Sequence, residues 1–322
     1  MSLRLGLLST AAINGAILAG ARETDRVEVV AVGSRDGAIA QGYASEHGLE
    51  RSHGSYEALL EDADVDAVYI SLPNRLHHEW TLKALAAGKH VLCEKPYSRR
   101  PAEVNEAFDA ADAAGLVLAE ALMYRHHSQS ARARELVQSG AIGRLRSVSA
   151  SFSFPLLDQT NVRLSSELDG GALMDVGCYC VSGSRLLAGE PEGVLGEQVV
   201  AENGVDVAFH GTMRFAGDVI AQFDASFVAP DRQRLEAVGE EGTMLLTAPW
   251  KISDVGIRIR RGDAEERIEV PAGNSYRLEL DDLAAAVAGE RQPLLGRADA
   301  LGQARAIEAL YRSAESGEIV RL

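Results

Sequence analysis

The stretch HVLCEKPYS, residues 90–98, ends an apolar run in a carboxylate, a lysine and a proline. Lys95 is one of four lysines in a chain with twenty-eight arginines. Pro96 steers the backbone of Lys95 away from the helical region, and the peptide bond between them is a candidate for the cis form. Glu94 could hydrogen-bond a ribose or orient the ammonium. A second stretch, GGALMDVGCYC at 170–180, places Asp175 and Tyr179 at i and i+4, on one face if the segment is helical. Gly177 costs roughly 1 kcal/mol relative to alanine inside a helix, which points to a close approach by backbone or ligand. Taken by residue type, Lys95 also reads as a surface lysine at a strand exit. Likewise, the second stretch also reads as a helix packed on a sheet, with Tyr179 half buried and Asp175 solvated.

Two further clusters suit a nucleotide. Ser9-Thr10-Ala11-Ala12-Ile13-Asn14 stands at the first strand–helix turn, where a dinucleotide fold wants G-x-G-x-x-G, and neither leading glycine is present. The physical need is for backbone N–H groups at a helix N-terminus with small side chains beside them, which Ser, Thr and Ala meet. The run also reads as an ordinary helix start capped by Ser9. The second apolar strand ends in Gly33-Ser34-Arg35 rather than in the acid that would bind the ribose 2′-hydroxyl of NAD. A hydroxyl followed by a guanidinium suits a 2′-phosphate, so NADP is favoured over NAD. Asp36 comes one residue late, and Ser34 could instead cap the following helix. In SLPNRLHHEW, Pro73 takes the chain out of the sheet, and Asn74 and His77 follow at the loop and helix start facing the cofactor side. His77 and His78 are adjacent and diverge, so no metal site is expected.

These residues sit on alternating elements. Apolar strands at 3–9, 27–34, 65–73, 89–93 and 116–122 alternate with helices at 11–22, 36–48, 75–88 and 101–115. That grammar predicts a parallel sheet covered on both faces, a doubly wound Rossmann α/β domain over 1–122 with ligands beyond the carboxyl ends of its strands. After about residue 125 the pattern changes to a helix, alternating strands and turns, with two closing helices at about 276–288 and 297–316. The expectation is an α+β domain over 123–322 with an open, mostly antiparallel sheet covered on one face, and with 169–189 as a helix.

The totals exclude several classes. The length of 322 residues suits two domains. A net charge of −15 repels nucleic acid. No apolar stretch is long enough to span a membrane, and the N-terminal residues do not read as a secretory signal. Cys93, Cys178 and Cys180 are too few for a disulfide framework, which fits a reducing cytoplasm. The unpaired C-x-C does not suit zinc, and no metal is expected.

The blocks AVYISLPNRLHHEWTLKALAAGKHVLCEKPYS, EALMYRHH and GGALMDVGCYC, in that order, resemble the glucose–fructose oxidoreductase/inositol dehydrogenase (Gfo/Idh/MocA) family over essentially the whole chain. The resemblance implies a nicotinamide-dependent oxidoreductase with a catalytic lysine at Lys95. Many inositol-dehydrogenase-like members carry D-x-x-x-H, whereas Asp175-x-x-x-Tyr179 is similar to the branch of dimeric dihydrodiol dehydrogenases and NADP-dependent xylose dehydrogenases, where the tyrosine is the acid/base. It implies that Tyr179 moves the hydroxyl proton, that Lys95 lowers the phenol pKa and holds the substrate oxygen, and that Asp175 positions substrate or lysine, with the roles of lysine and tyrosine exchangeable. Leu72, Pro73, Asn74, His77, Glu94, Lys95 and Arg125 join Ser9–Ile13, Ser34 and Arg35 as the cofactor set, and Tyr124, His126 and Arg163 face the substrate.

The expected substrate is a sugar, polyol or cyclic diol. A redox-assisted glycosidase of the same fold and a non-catalytic cofactor sensor are the alternatives; retention of Lys95, Tyr179 and Asp175 argues against the sensor. Association of copies through the second domain's sheet, with Val207, Phe209 and Phe223 on the face needing a cover, predicts a homodimer or homotetramer.

Overall fold

Leu- and Val-rich runs buried on both faces build a parallel sheet, and the computed structural model, which describes residues 2–322, shows one of six strands. Its elements are β1 (Leu3–Leu8), α1 (Asn14–Ala21), β2 (Val27–Gly33), α2 (Gly37–His47), β3 (Arg51–His53), α3 (Tyr56–Leu60), β4 (Ala67–Ile70), α4 (His77–Ala86), β5 (His90–Glu94), α5 (Pro101–Ala114) and β6 (Leu118–Ala121). The order is β3-β2-β1-β4-β5-β6, all parallel. The order reverses beside β1, which makes the carboxyl ends of β1 and β4 the place for a ligand. Local chemistry sets the helix limits. Asp36 caps α2, Ser55 caps α3, Pro101 opens α5, and Gly48 and Gly115 close α2 and α5 in the left-handed conformation.

The chain divides into two compact units, Met1–His126 with Asn274–Leu301, and His127–Gly273 with Gly302–Leu322. A single break after residue 122 therefore does not describe it. The second unit runs through α6 (Ser128–Gln138), β7 (Leu145–Ser153), short 3-10 turns at Val162–Leu164 and Ser166–Leu168, a π-turn at Leu173–Gly177, α7 (Cys178–Ala188), β8 (Pro191–Val200), β9 (Asp206–Phe215), β10 (Val219–Ser226), β11 (Arg232–Gly239), β12 (Thr243–Leu246), β13 (Ile257–Arg261) and β14 (Ala264–Ile268). The chain then passes through α8 (Ser275–Val287) and α9 (Arg297–Ser316) to β15 (Val320–Arg321). The nine-stranded sheet has the order β14-β13-β12-β11-β7-β10-β9-β8-β15 and is antiparallel except for the β7–β10 pair.

α8 belongs to the first unit because its apolar face completes that unit's core. Leu280, Leu283 and Ala284 pack with Leu5, Leu7, Ile17, Leu18 and Tyr69, and burying each leucine stabilises by about 1.5–3 kcal/mol. The approach is close: a Cβ on Gly20 of α1 would stand 2.8 Å from the Arg277 nitrogen of α8. In the second unit, Phe209 and Phe223 do not need an external cover. They lie on the inner face, stacked at 6.2 Å, with Tyr311 of α9 edge-on to Phe209 at 5.6 Å. The exposed apolar residues of the outer face are instead Leu195, Val199 and Ile220. Among the described residues no helix is long and apolar enough to cross a membrane.

Candidate active site

In the first unit the residues expected at the nucleotide gather at the carboxyl edge of the sheet. Ser9 ends β1 with φ +146°, a backbone region that costs a residue with a Cβ about 1–3 kcal/mol. It is held there by three contacts. Its hydroxyl pairs with Ser71 Oγ at 2.7 Å, Ala11 N–H donates to that hydroxyl at 3.1 Å, and Asn14 Nδ2 donates to the Ser9 carbonyl at 2.7 Å. Thr10, Ala11 and Ile13 are half-buried and Ala12 is exposed. Among the described residues α1 has no side-chain cap, and the N–H groups of Asn14, Gly15 and Ala16 donate to the carbonyls of Ala11, Ala12 and Ile13 at 3.0, 3.2 and 2.9 Å. The small residues Ser9, Thr10, Ala11 and Ala12 at this helix start fit a pyrophosphate.

At the end of β2, Ser34 is buried and Arg35 exposed. The helix cap is Asp36 and not Ser34. Asp36 Oδ1 accepts from Ala38 N–H at 2.8 Å and Ile39 N–H at 3.3 Å, while Ser34 Oγ accepts from Asp36 N–H at 3.3 Å. Leu72 is buried, and Pro73 and Asn74 start a 3-10 turn after β4.

His77 does not present its ring to a ligand. It is fully buried, with Nδ1 3.0 Å from the Pro96 carbonyl and Nε2 2.8 Å from the Leu72 carbonyl. Burial lowers its pKa. It joins the exits of β4 and β5, fixing the loops that hold Asn74 and Lys95. At the end of β5, Lys95 is half-buried, the Lys95–Pro96 peptide is cis, and Glu94 Oε2 accepts from the Lys95 N–H at 3.2 Å. The Tyr69 hydroxyl donates to the other Glu94 oxygen. Tyr124 is buried, the Arg125 guanidinium pairs with Asp299 at 3.1 Å, and the His126 side chain, 6% exposed, lies between Glu279 and Asp282. His126 is thus an interior residue of the first unit and not a surface for substrate.

In the second unit the segment carrying Asp175 and Tyr179 is not one regular helix. It begins as the π-turn Leu173–Gly177 and narrows into α7; π-turns are frequent at functional sites. Gly177 answers a close approach by the sheet: a Cβ there would stand 2.9 Å from Leu173 Cδ1 and 3.2 Å from Ala225 Cβ of β10. The turn is anchored by Asp206, which accepts from Leu173 N–H at 2.7 Å and from the Tyr311 hydroxyl at 2.9 Å. Tyr179 is 8% exposed, packed edge-on to Phe152 at 5.4 Å and against Trp250 at 6.0 Å. Trp250 is itself fixed by Nε1–H donation to the Ser151 carbonyl at 2.9 Å. Asp175 Oδ2 accepts from Arg163 Nε at 2.7 Å, and Arg163 is half-exposed, so the loop at 155–169 does reach the candidate acid.

Ser71, Asp206 and Trp250 were not foreseen. Ser71 is a polar residue at a strand end, indistinguishable in one dimension from many others. Asp206 opens a strand 31 residues beyond Asp175, and no spacing rule links the two. Trp250 carried a usable signal, being one of only two tryptophans in the chain.

Residues 11–122 match the family model described as the oxidoreductase family with an NAD-binding Rossmann fold, and residues 130–245 match the GFO/IDH/MocA C-terminal domain. The chain is 36% identical over 322 residues to a D-xylose 1-dehydrogenase (NADP(+)) of Haloferax volcanii, covering 98% of this chain and 99% of that protein. The crystal structure of the aldose-aldose oxidoreductase of Caulobacter crescentus, complexed with glycerol, superposes with a TM-score of 0.93 at 26% identity over the full length of both chains. A 3-ketoreductase of Actinomadura kijaniata, solved with NADP and TDP-benzene, gives 0.91 at 30% identity, with 97% and 98% covered. With both of its domain models matched and a full-length relative this similar, the chain belongs to the Gfo/Idh/MocA family and is an oxidoreductase with a Rossmann nucleotide-binding fold.

Proposed function

We propose that the protein is an NADP-dependent oxidoreductase that acts on a CH–OH or carbonyl carbon of a sugar, polyol or cyclic diol. The observation that carries the cofactor choice is the end of β2. Asp36, the acid nearest in sequence, is engaged by two helix N–H groups, which leaves Ser34 and the exposed Arg35 for the ribose. A guanidinium there matches a 2′-phosphate. The NADP named for the xylose dehydrogenase and the 3-ketoreductase supports the same choice, and the sugar chemistry in the names of the relatives supports the substrate class.

When bound, the nicotinamide supplies the hydride acceptor or donor. The chain's own residues then have these tasks. The turn Ser9–Ile13 before α1 binds the pyrophosphate, and Glu94 orients ribose or lysine. Tyr179 takes or returns the hydroxyl proton. Its ordinary pKa near 10 is too high for a base at neutral pH, and the Lys95 ammonium favours the phenolate. Lys95 also holds the substrate oxygen as charge develops on it. Asp175, steadied by Arg163, positions the substrate.

The test is a panel of monosaccharides, polyols and cyclic diols followed by nicotinamide absorbance with both cofactors, beside titrations of wild type and Arg35→Ala. Losing one charge-assisted phosphate contact should weaken NADPH binding by roughly 1.5–3 kcal/mol and leave NADH binding unchanged. Equal affinity of wild type for the two cofactors, or an unaltered NADPH affinity in the variant, refutes the assignment.

A further inference from the structure

Tyr179 is the second residue of α7 and follows directly on the π-turn Leu173–Gly177. A π-turn is a short, uncommon interruption of the i→i+4 pattern, and the register in which it ends decides where the next side chains fall. A slip of one residue would turn Tyr179 by about 100° and carry it about 1.5 Å along the axis.

α9 grips the turn at both ends. At its entry, the Tyr311 hydroxyl donates to Asp206 at 2.9 Å, and Asp206 accepts the Leu173 N–H at 2.7 Å. At its exit, Gln303 Nε2 donates to the Cys178 carbonyl at 2.7 Å in the interior. Gln303 and Tyr311 are at i and i+8 of one helix, about 12 Å apart along its axis, so one side of α9 spans the whole turn.

The Gln303 amide is itself held from behind. Its Oε1 accepts from Arg185 Nη1 at 2.9 Å. The rest of the Arg185 fork closes on Glu190, with Nε at 2.9 Å and Nη2 at 2.7 Å. Arg185 and Gln303 are both buried. A guanidinium only donates and a carbonyl only accepts, so the amide sits one way round, oxygen to Arg185 and nitrogen to Cys178. Gly302 gives the room for this approach: a Cβ there would stand 2.3 Å from Arg185 Nη2 and 2.7 Å from Glu190 Oε2.

We propose that Gln303, oriented by Arg185, is a positioning residue for Tyr179: it fixes the register in which the π-turn passes into α7 and so the place of the phenol hydroxyl. The proposal rests on the proton-handling role of Tyr179 given above.

The choice of carbonyl carries the argument. A glutamine that only tied α9 to its neighbours could bond any carbonyl of α7. The peptide that Gln303 grips is the one joining Cys178 to Tyr179, and because a peptide is planar, holding its oxygen also orients the Tyr179 N–H and the bond to its Cα. Phe152 and Trp250 pack on the ring from the sheet side. Backbone and ring are thus set by different neighbours, and both are needed to place the hydroxyl.

The test is a double-mutant cycle on the intact protein, on whichever substrate the panel identifies. Gln303→Met keeps the bulk and removes both hydrogen bonds. Gln303→Glu keeps an acceptor for Arg185, which holds the new carboxyl ionised, and removes the donor to Cys178. Each should lower kcat by about 10–10²-fold, the scale of a misplacement of about 1 Å, and leave NADPH affinity unchanged. On the residual turnover of Tyr179→Phe neither should have a further effect, because no hydroxyl is left to misplace. Unchanged kcat in both Gln303 variants overturns the proposal. So does an equal fold-loss with and without the Tyr179 hydroxyl, which marks a general structural role. If the buried charge of Gln303→Glu prevents folding, Gln303→Met carries the same comparison. A readout without substrate comes from NMR of ring-labelled tyrosine: the signal that Tyr179→Phe removes should shift or broaden in Gln303→Met, and an unmoved signal overturns the proposal. Failure of the tyrosine reading itself would show separately, as near-normal turnover of Tyr179→Phe with Gln303 intact.

Discussion

The turn after β1 offers a direct measurement of stored strain. Ser9 stands where the dinucleotide fingerprint has its first glycine, and it adopts φ +146° although it carries a Cβ. Replacing it with alanine removes the hydroxyl that pairs with Ser71 at 2.7 Å and accepts from Ala11 at 3.1 Å but keeps the Cβ. Replacing it with glycine removes the hydroxyl as well as the Cβ. The hydrogen-bond loss, about 0.5–1.5 kcal/mol per bond, is common to both variants and cancels in their difference. What remains is the backbone strain, about 1–3 kcal/mol, less the extra unfolded-state freedom of glycine, about 0.5–1 kcal/mol. Ser9→Gly should therefore be more stable than Ser9→Ala by about 1 kcal/mol, and by up to about 2.5 kcal/mol, the reverse of the usual order in regular structure. With a melting shift of about 2–4 °C per kcal/mol for a unit of this size, paired urea and thermal denaturation resolves the difference. An alanine variant as stable as the glycine variant would refute the strain and with it the view that serine is here a costly stand-in for glycine.

Three further outcomes are expected. Lys95→Ala and Tyr179→Phe should each lower kcat by at least ~10² while leaving NADPH affinity nearly intact, and the double variant should be little worse than the poorer single one; near-normal turnover in Tyr179→Phe would place the base elsewhere. Asp206→Ala removes the acceptor of the Leu173 N–H and of the Tyr311 hydroxyl in the interior and should cost about 2–4 kcal/mol of stability, with Asp206→Asn recovering part of it; an unchanged melting point in the alanine variant would show that the π-turn needs no anchor. The outer face of the nine-stranded sheet exposes Leu195, Val199 and Ile220, and sedimentation at micromolar concentration should show a dimer or tetramer that an Ile220→Lys, Val199→Lys variant weakens; a stable wild-type monomer would refute association.

Much of the first unit was legible because its strands are short apolar runs and its helices carry their own punctuation. Gly48, Gly115 and Pro101 each mark a limit that the structure keeps. The assignment of α8 failed for a physical reason. Its apolar face looks the same whichever sheet it covers, and nothing local says that the chain returns to β1 after an excursion of roughly 150 residues through the other sheet. His77 was misread in a similar way. Proximity to the cofactor edge was visible, but the fact that two backbone carbonyls occupy both ring nitrogens depends on where Pro96 lies. Asp175 and Tyr179 were expected on one helix, whereas the π-turn that carries Asp175 goes with the close packing of Gly177 on β10 and has no one-dimensional signal.

The interruption of the first unit has a consequence for synthesis. All six of its strands have been made by residue 121, but the helix that covers Leu5, Leu7, Ile17 and Leu18 ends at Val287. At about 5–20 residues per second, the roughly 150 residues between His126 and Asn274 take about 8–30 s to emerge. For that interval the nascent sheet presents an open apolar strip to the ribosome surface and its chaperones. A fragment ending at residue 126 would carry the same strip permanently, so the nucleotide-binding half should not be recoverable as a soluble N-terminal piece, whereas the same strands joined directly to residues 274–301 by a short linker should fold.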